Sequence, residues 1–80
     1  MTVARRALVS GRVQGVFYRA TAAAKARELG VTGSALNLPD GRVEVIAYGT
    51  AEAVHAFCAW LWIGSTASKV TGVEETPMPP

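Results

Sequence analysis

LPDGRVEVIAY, residues Leu38–Tyr48, is the stretch on which the arrangement of the whole chain turns. Pro39 presets its own backbone angle and Gly41 tolerates positive φ, so Leu38-Pro39-Asp40-Gly41 is a turn. Apolar and polar residues then alternate from Arg42 to Tyr48, with Val43, Val45 and Ala47 on one face, as in a half-buried strand. Val31 to Leu38 reads as the strand before the turn, and the two form a hairpin.

Helical patterns flank that hairpin on both sides. Tyr18 to Leu29 (YRATAAAKAREL) is rich in good helix formers, and Ala22, Ala26 and Leu29 share a face. Gly30 suits the left-handed residue that ends a helix. After the hairpin, Thr50 can cap a second helix, with Glu52 in its first turn, where the dipole favours negative charge. Val54, Phe57, Cys58 and Leu61 follow the i, i+3, i+4, i+7 spacing of a buried stripe, and Gly64 is the expected stop. Strand patterns occupy the two ends: Val3 to Ser10, and Ser68 to Thr76. Val70 and Val73 break the period of two, which predicts a bulge. Pro77-Met78-Pro79-Pro80 is not expected to continue a ladder. The order βαββαβ predicts an α+β, ferredoxin-like sandwich: a four-stranded antiparallel sheet with both helices on one face.

Composition sets the limits. Eighty residues fit one domain spanning 1–80. Half are hydrophobic and 18% are charged, which argues against disorder. No apolar run approaches a membrane helix, and MTVARRALVSG is a poor signal peptide. Cys58 is the lone cysteine and His55 the lone histidine, so a disulfide scaffold is excluded and a four-ligand zinc site is not expected. A cytoplasmic location is expected, with neither a membrane nor a nucleic acid as partner. The net charge of +2 is uneven, because Arg5, Arg6, Arg12, Arg19, Lys25 and Arg27 all precede the first acidic residue, Glu28. Such a positive third would attract a small anion or a phosphate backbone, although charge alone reads first as an ordinary solvated face.

The candidate anion site is SGRVQGVFYRA, Ser10 to Ala20, where strand passes to helix. A helix N-terminus presents unpaired N–H groups and partial positive charge. Gly11 and Gly15 are expected to let the backbone curl into an anion nest, and Arg19 adds bidentate donors suited to two phosphate oxygens. The Walker pattern is absent.

Two segments resemble a known family. Val9–Arg19, V-S-G-R-V-Q-G-V-F-Y-R, is similar to the first signature of the acylphosphatases. Gly33–Gly49, G-S-A-L-N-L-P-D-G-R-V-E-V-I-A-Y-G, is similar to the second. The resemblance runs from about Val3 to Thr76. It implies hydrolysis of the carboxyl–phosphate bond of acyl phosphates with no metal or other cofactor. By position it implies that Arg19 holds the phosphoryl group. The N–H groups of Val13, Gln14, Gly15, Val16, Phe17 and Tyr18 would cradle its oxygens, and Asn37 would orient the attacking water. Ser34, Leu36 and Tyr18 depart from the family pattern. Members usually continue to a fifth strand beside the second; with the chain stopping at Pro80, the strand carrying Asn37 is expected to be an uncovered edge that can pair with another chain. Otherwise a monomer is expected.

The remaining candidates read as structural. His55 lies off the apolar stripe, Cys58 is a core thiol, and at least one of Trp60 and Trp62 is expected to be exposed. Glu74 and Glu75 read as solvated, and Asp40 and Glu44 do not form an acid–base pair. A βαββαβ sheet can also bind single-stranded RNA through aromatics on its central strands, but RVEVIAY has one aromatic and lacks that signature. The alternative to an enzyme is an acylphosphatase-like module that binds phosphate or a protein partner without turnover.

Overall fold

The structure is a computed structural model and describes residues 2–80. The central hairpin is formed as expected: the Leu38 N–H donates to the Arg42 carbonyl at 2.8 Å, and the Gly41 N–H to the Leu38 carbonyl at 3.1 Å. Asp40 completes the turn, accepting from the Arg42 N–H at 3.0 Å and from its Nε at 2.7 Å. Around it the elements are β1 (Thr2–Arg12), α1 (Tyr18–Leu29), β2 (Thr32–Asn37), β3 (Val43–Thr50), α2 (Ala51–Leu61) and β4 (Lys69–Met78). The strands pair antiparallel in the order β2-β3-β1-β4. This is the ferredoxin-like arrangement.

Register decides which residues meet the helices. Val9 lies opposite Val43, Ala7 opposite Val45, and Ala35 opposite Val45 on the other side. Directly opposed residues in an antiparallel pair project to the same face. That face carries Ala7, Val9, Val43, Val45 and Ala47, all buried with Tyr18 and Ala22 of α1 and Val54, Phe57, Cys58 and Leu61 of α2. The predicted stripe of α2 is therefore its packing face. Phe57 stacks on Trp60 at 6.2 Å between ring centroids, and Trp60 meets Tyr18 at 6.0 Å. Gly30 ends α1 at φ 76°, and the Val31 N–H returns to the Ala26 carbonyl at 2.8 Å, the wide bond of a Schellman close.

Three expectations are corrected. Pro77 and Met78 do continue the ladder, opposite Arg5 and Ala4. β4 pairs with β1 alone, and an edge strand can seat a residue with no N–H on its outer side. The α-helical hydrogen bonding of α2 stops at Leu61 rather than Gly64, and a tighter turn follows, with the Ile63 N–H on the Trp60 carbonyl at 2.7 Å. Gly11 lies inside β1, not in the loop. The predicted bulge is opposite it, where Ser10 pairs with Gly72 and Gly11 with Val70, leaving Thr71 over. A Cβ on Gly11 would strike the Lys69 carbonyl, so glycine there serves the close approach of β4.

β2 has β3 as its one neighbour in the sheet. Asn37 ends it opposite Val43, which in turn faces Val9 across β3 and β1. That row places Asn37 on the helix side, at the end where β1 gives way to the loop before α1.

Candidate functional site

The loop from Val13 to Phe17 is held from three directions. Val13 and Val16 are buried and anchor it in the core. The Ser65 hydroxyl, beyond α2, donates to the Val16 carbonyl at 2.7 Å. The Gln14 side-chain amide donates to the Leu38 carbonyl at 2.8 Å and the Arg42 carbonyl at 2.9 Å. Gln14 thus fastens the loop to the hairpin turn that follows Asn37.

Between these anchors the backbone curls. Gly15 has φ 71°, with open space where a Cβ would stand, so glycine there answers to conformation alone. Phe17 has φ 61° and is the one described non-glycine residue with positive φ. A left-handed non-glycine residue costs about 1–2 kcal/mol, and such strain concentrates at functional sites. Phe17 occupies the N-cap position of α1 and provides no side-chain cap, and the first turn holds no acidic residue. The first-turn N–H groups are therefore left without the side-chain acceptor that usually meets them. The Phe17 carbonyl, by contrast, is doubly engaged, by the Thr21 N–H at 3.0 Å and the Thr21 hydroxyl at 2.8 Å.

Tyr18 follows, buried to 1% exposure, its hydroxyl donating to the Leu61 carbonyl at 2.7 Å. Burial pushes this phenol well above its ordinary range, so it stays neutral. Arg19 comes next, exposed, and makes no salt bridge among the described residues. Arg5, Arg6, Lys25 and Arg42, in contrast, each meet a carboxylate.

A cleft of about 270 Å³ gathers Val13, Gly15, Phe17, Tyr18, Arg19, Ala20 and Asn37. The structure thus places Arg19 and Asn37, which are far apart in sequence, against one hollow. Of the other proposed cradle residues, Gln14 turns its amide to the hairpin and Val16 packs inward, so neither side chain lines it. Sequence reasoning missed the bracing by Gln14 and Ser65. The glutamine stands in the first signature, but its partners are 24 and 28 residues away.

Among the described residues, no carboxylate, histidine or thiol lines this cleft. The two acids set aside earlier are each engaged by an arginine, Asp40 with Arg42 at 2.7 Å and Glu44 with Arg6 at 2.7 Å. Hydrogen bonding from the Arg42 backbone N–H, helped by its guanidinium, holds the Asp40 carboxyl below its usual range. His55 is exposed, Cys58 is buried, and Trp62 is 52% exposed. Among the described residues, no three His, Cys, Asp or Glu side chains gather in a metal-holding group. Among the described residues, no helix is long and apolar enough to cross a membrane.

The acylphosphatase family model matches residues 5–80. The chain is 58% identical over 71 residues to an acylphosphatase of Methylococcus capsulatus, covering 89% of this chain and 77% of that one. Its backbone is similar to the solved acylphosphatase of Coxiella burnetii, with a TM-score of 0.93 and 36% identity over 98% of this chain and 82% of the other. The Bacillus subtilis acylphosphatase structure gives 0.93 and 36%, over 100% and 88%.

Proposed function

The chain belongs to the acylphosphatase family, and on that premise we propose that its loop cleft holds the phosphoryl group while Asn37 orients the attacking water. The activity is hydrolysis of the carboxyl–phosphate bond of an acyl phosphate to a carboxylate and inorganic phosphate. Arg19 supplies two parallel donors to two phosphoryl oxygens. The backbone N–H groups from Val13 to Tyr18, at the positive end of α1, take the remaining charge.

Phosphoryl transfer passes through a loose transition state, so placement and charge stabilisation supply most of the catalysis. The carboxylate is a good leaving group and needs no protonation by the protein. Water forms the new P–O bond as the bond to the acyl oxygen breaks. The Asn37 amide cannot accept the water's proton, which passes to a phosphoryl oxygen or to solvent. These roles suit a cleft lined by a guanidinium, an amide and backbone.

The observation that carries this reading is the convergence of the open first turn of α1, the unpaired Arg19 and the distant Asn37 on one hollow. A cytoplasmic location fits a chain whose single cysteine is a buried free thiol. The test is turnover of benzoyl phosphate with EDTA present, in wild type, Arg19→Ala and Asn37→Ala. Wild-type turnover is expected to survive the chelator, and each substitution to lower it by about 10²–10³, as loss of one oxyanion donor does. Equal rates for all three proteins would overturn the assignment of these residues.

A further inference from the structure

Gln14 enters the proposed cradle through its backbone N–H alone. Its side chain leaves the cleft for the hairpin, where the amide nitrogen donates to the Leu38 carbonyl at 2.8 Å and the Arg42 carbonyl at 2.9 Å. The two N–H bonds of a primary amide suit two such acceptors. These are the carbonyls that close the turn: Leu38 also accepts the Gly41 N–H, and Arg42 the Leu38 N–H. Asn37 and Val43 form the last paired rung of β2 and β3, and Leu38 and Arg42 are the next residues beyond it. The Gln14 amide thus clamps the hairpin immediately past Asn37. That end of β2 needs a clamp, because β2 has β3 as its one neighbour in the sheet. The end of an edge strand is held by few contacts and opens readily.

We propose that the Gln14 side chain is a positioning residue, which sets Asn37 at its working distance from the phosphoryl pocket. The inference rests on the hydrolytic reading above and adds the group that joins its two halves. The loop and the strand end come from distant segments, and this one side chain ties them together. Val13, Val16 and the Ser65 hydroxyl hold the loop without it, so its loss leaves the phosphoryl pocket in place. Neither carbonyl is orphaned by that loss, since each keeps a backbone donor, and Asp40 still braces the turn. What changes is where Asn37 holds the water relative to the bound phosphorus. In-line attack tolerates little error, and a misplacement of about 1 Å can cost ~10² in rate.

The experiment measures kcat for benzoyl phosphate and the inhibition constant of inorganic phosphate in wild type, Gln14→Met and Gln14→Asn, each with and without Asn37→Ala. Methionine keeps the length of the side chain and removes its donors. Asparagine keeps the amide on a stem one carbon shorter, so one variant reports even if the other folds poorly. In each, kcat is expected to fall about tenfold, within the ~10² that misplacement can cost, with phosphate inhibition unchanged. On the Asn37→Ala background the same substitutions are expected to cost nothing further, because the group they position is gone. A wild-type kcat in either folded variant overturns this inference alone. So does an equal loss with and without Asn37, or a parallel weakening of phosphate inhibition, which would assign Gln14 to the cradle. A wild type that leaves benzoyl phosphate intact overturns the hydrolytic reading as well.

Discussion

Thr50 closes the first turn of α2 with its own hydroxyl, accepting the Ala53 N–H at 3.1 Å, and Glu52 places a negative charge beside the positive end of that helix. Phe17 does neither for α1. It stands in the left-handed region, offers no cap, and is followed by Arg19 instead of an acid. A missing cap costs about 1 kcal/mol, and a cation near a helix N-terminus is mildly unfavourable. One chain has thus built two helix beginnings by opposite rules. α2 starts as a stable helix should. α1 leaves its N–H groups and a guanidinium uncommitted, on the side that Asn37 also reaches. The donors unused in folding are the ones a phosphoryl group would use.

The comparison can be broken most readily at Arg19. Arg19→Ala is expected to raise the barrier for hydrolysis by about 3–4 kcal/mol while leaving the urea midpoint unchanged, since the exposed guanidinium pairs with no carboxylate among the described residues. A matching fall in stability would mean that Arg19 serves the fold. Next comes stabilisation by ligand: inorganic phosphate at a hundred times its dissociation constant should add about 2.7 kcal/mol to wild-type stability. That gain should be lost in Arg19→Ala and retained in Thr50→Ala, as read from thermal melts. Thr50→Ala itself should lower stability by about 1 kcal/mol with turnover per folded molecule unaltered. If activity falls as well, the two helix ends are not functionally separate.

A further effect, confined to alkaline pH, concerns the core beneath both helices. Burial pushes the Cys58 thiol up to about 11, helped by the nearby Glu75 charge. An unfolded thiol ionises near ~8.5. The folded chain keeps the proton longer, so this contribution is fully present below about pH 8.5 and is lost as pH rises toward 11. Urea midpoints between pH 8 and 10.5 should therefore decline more steeply in wild type than in Cys58→Ala.

Much of this was legible in the residues because the signals were local. Tyr18–Leu29, the stripe Val54–Phe57–Cys58–Leu61, the Thr50 cap and the Asp40–Gly41 turn each follow from neighbours within a turn or two of chain. The bulge showed in the three-residue spacing of Val70 and Val73. Two of the failures depended on the assembled sheet. Pro77 is tolerated because β4 is an edge, a fact of strand order. Gly11 and Gly15 look alike in the string, but one lets β4 approach and the other permits positive φ. Within the site, Arg19 stood out from its place at the glycine loop before a helix, and Asn37 was identified through resemblance to the second signature. The left-handed backbone of Phe17 and the bracing by Gln14 and Ser65 needed the coordinates, because each is imposed by contacts with distant segments.

The most direct test is a phosphate titration of the ¹⁵N-labelled protein followed by amide chemical shifts. Saturable shifts are expected at the N–H groups of Gly15 to Arg19 and at the Asn37 side-chain amide, with those of Ala51 to Ala53 at the capped start of α2 unmoved. Shifts at α2 in place of α1, or none at either helix, would contradict the assignment of the open helix end as the phosphoryl site.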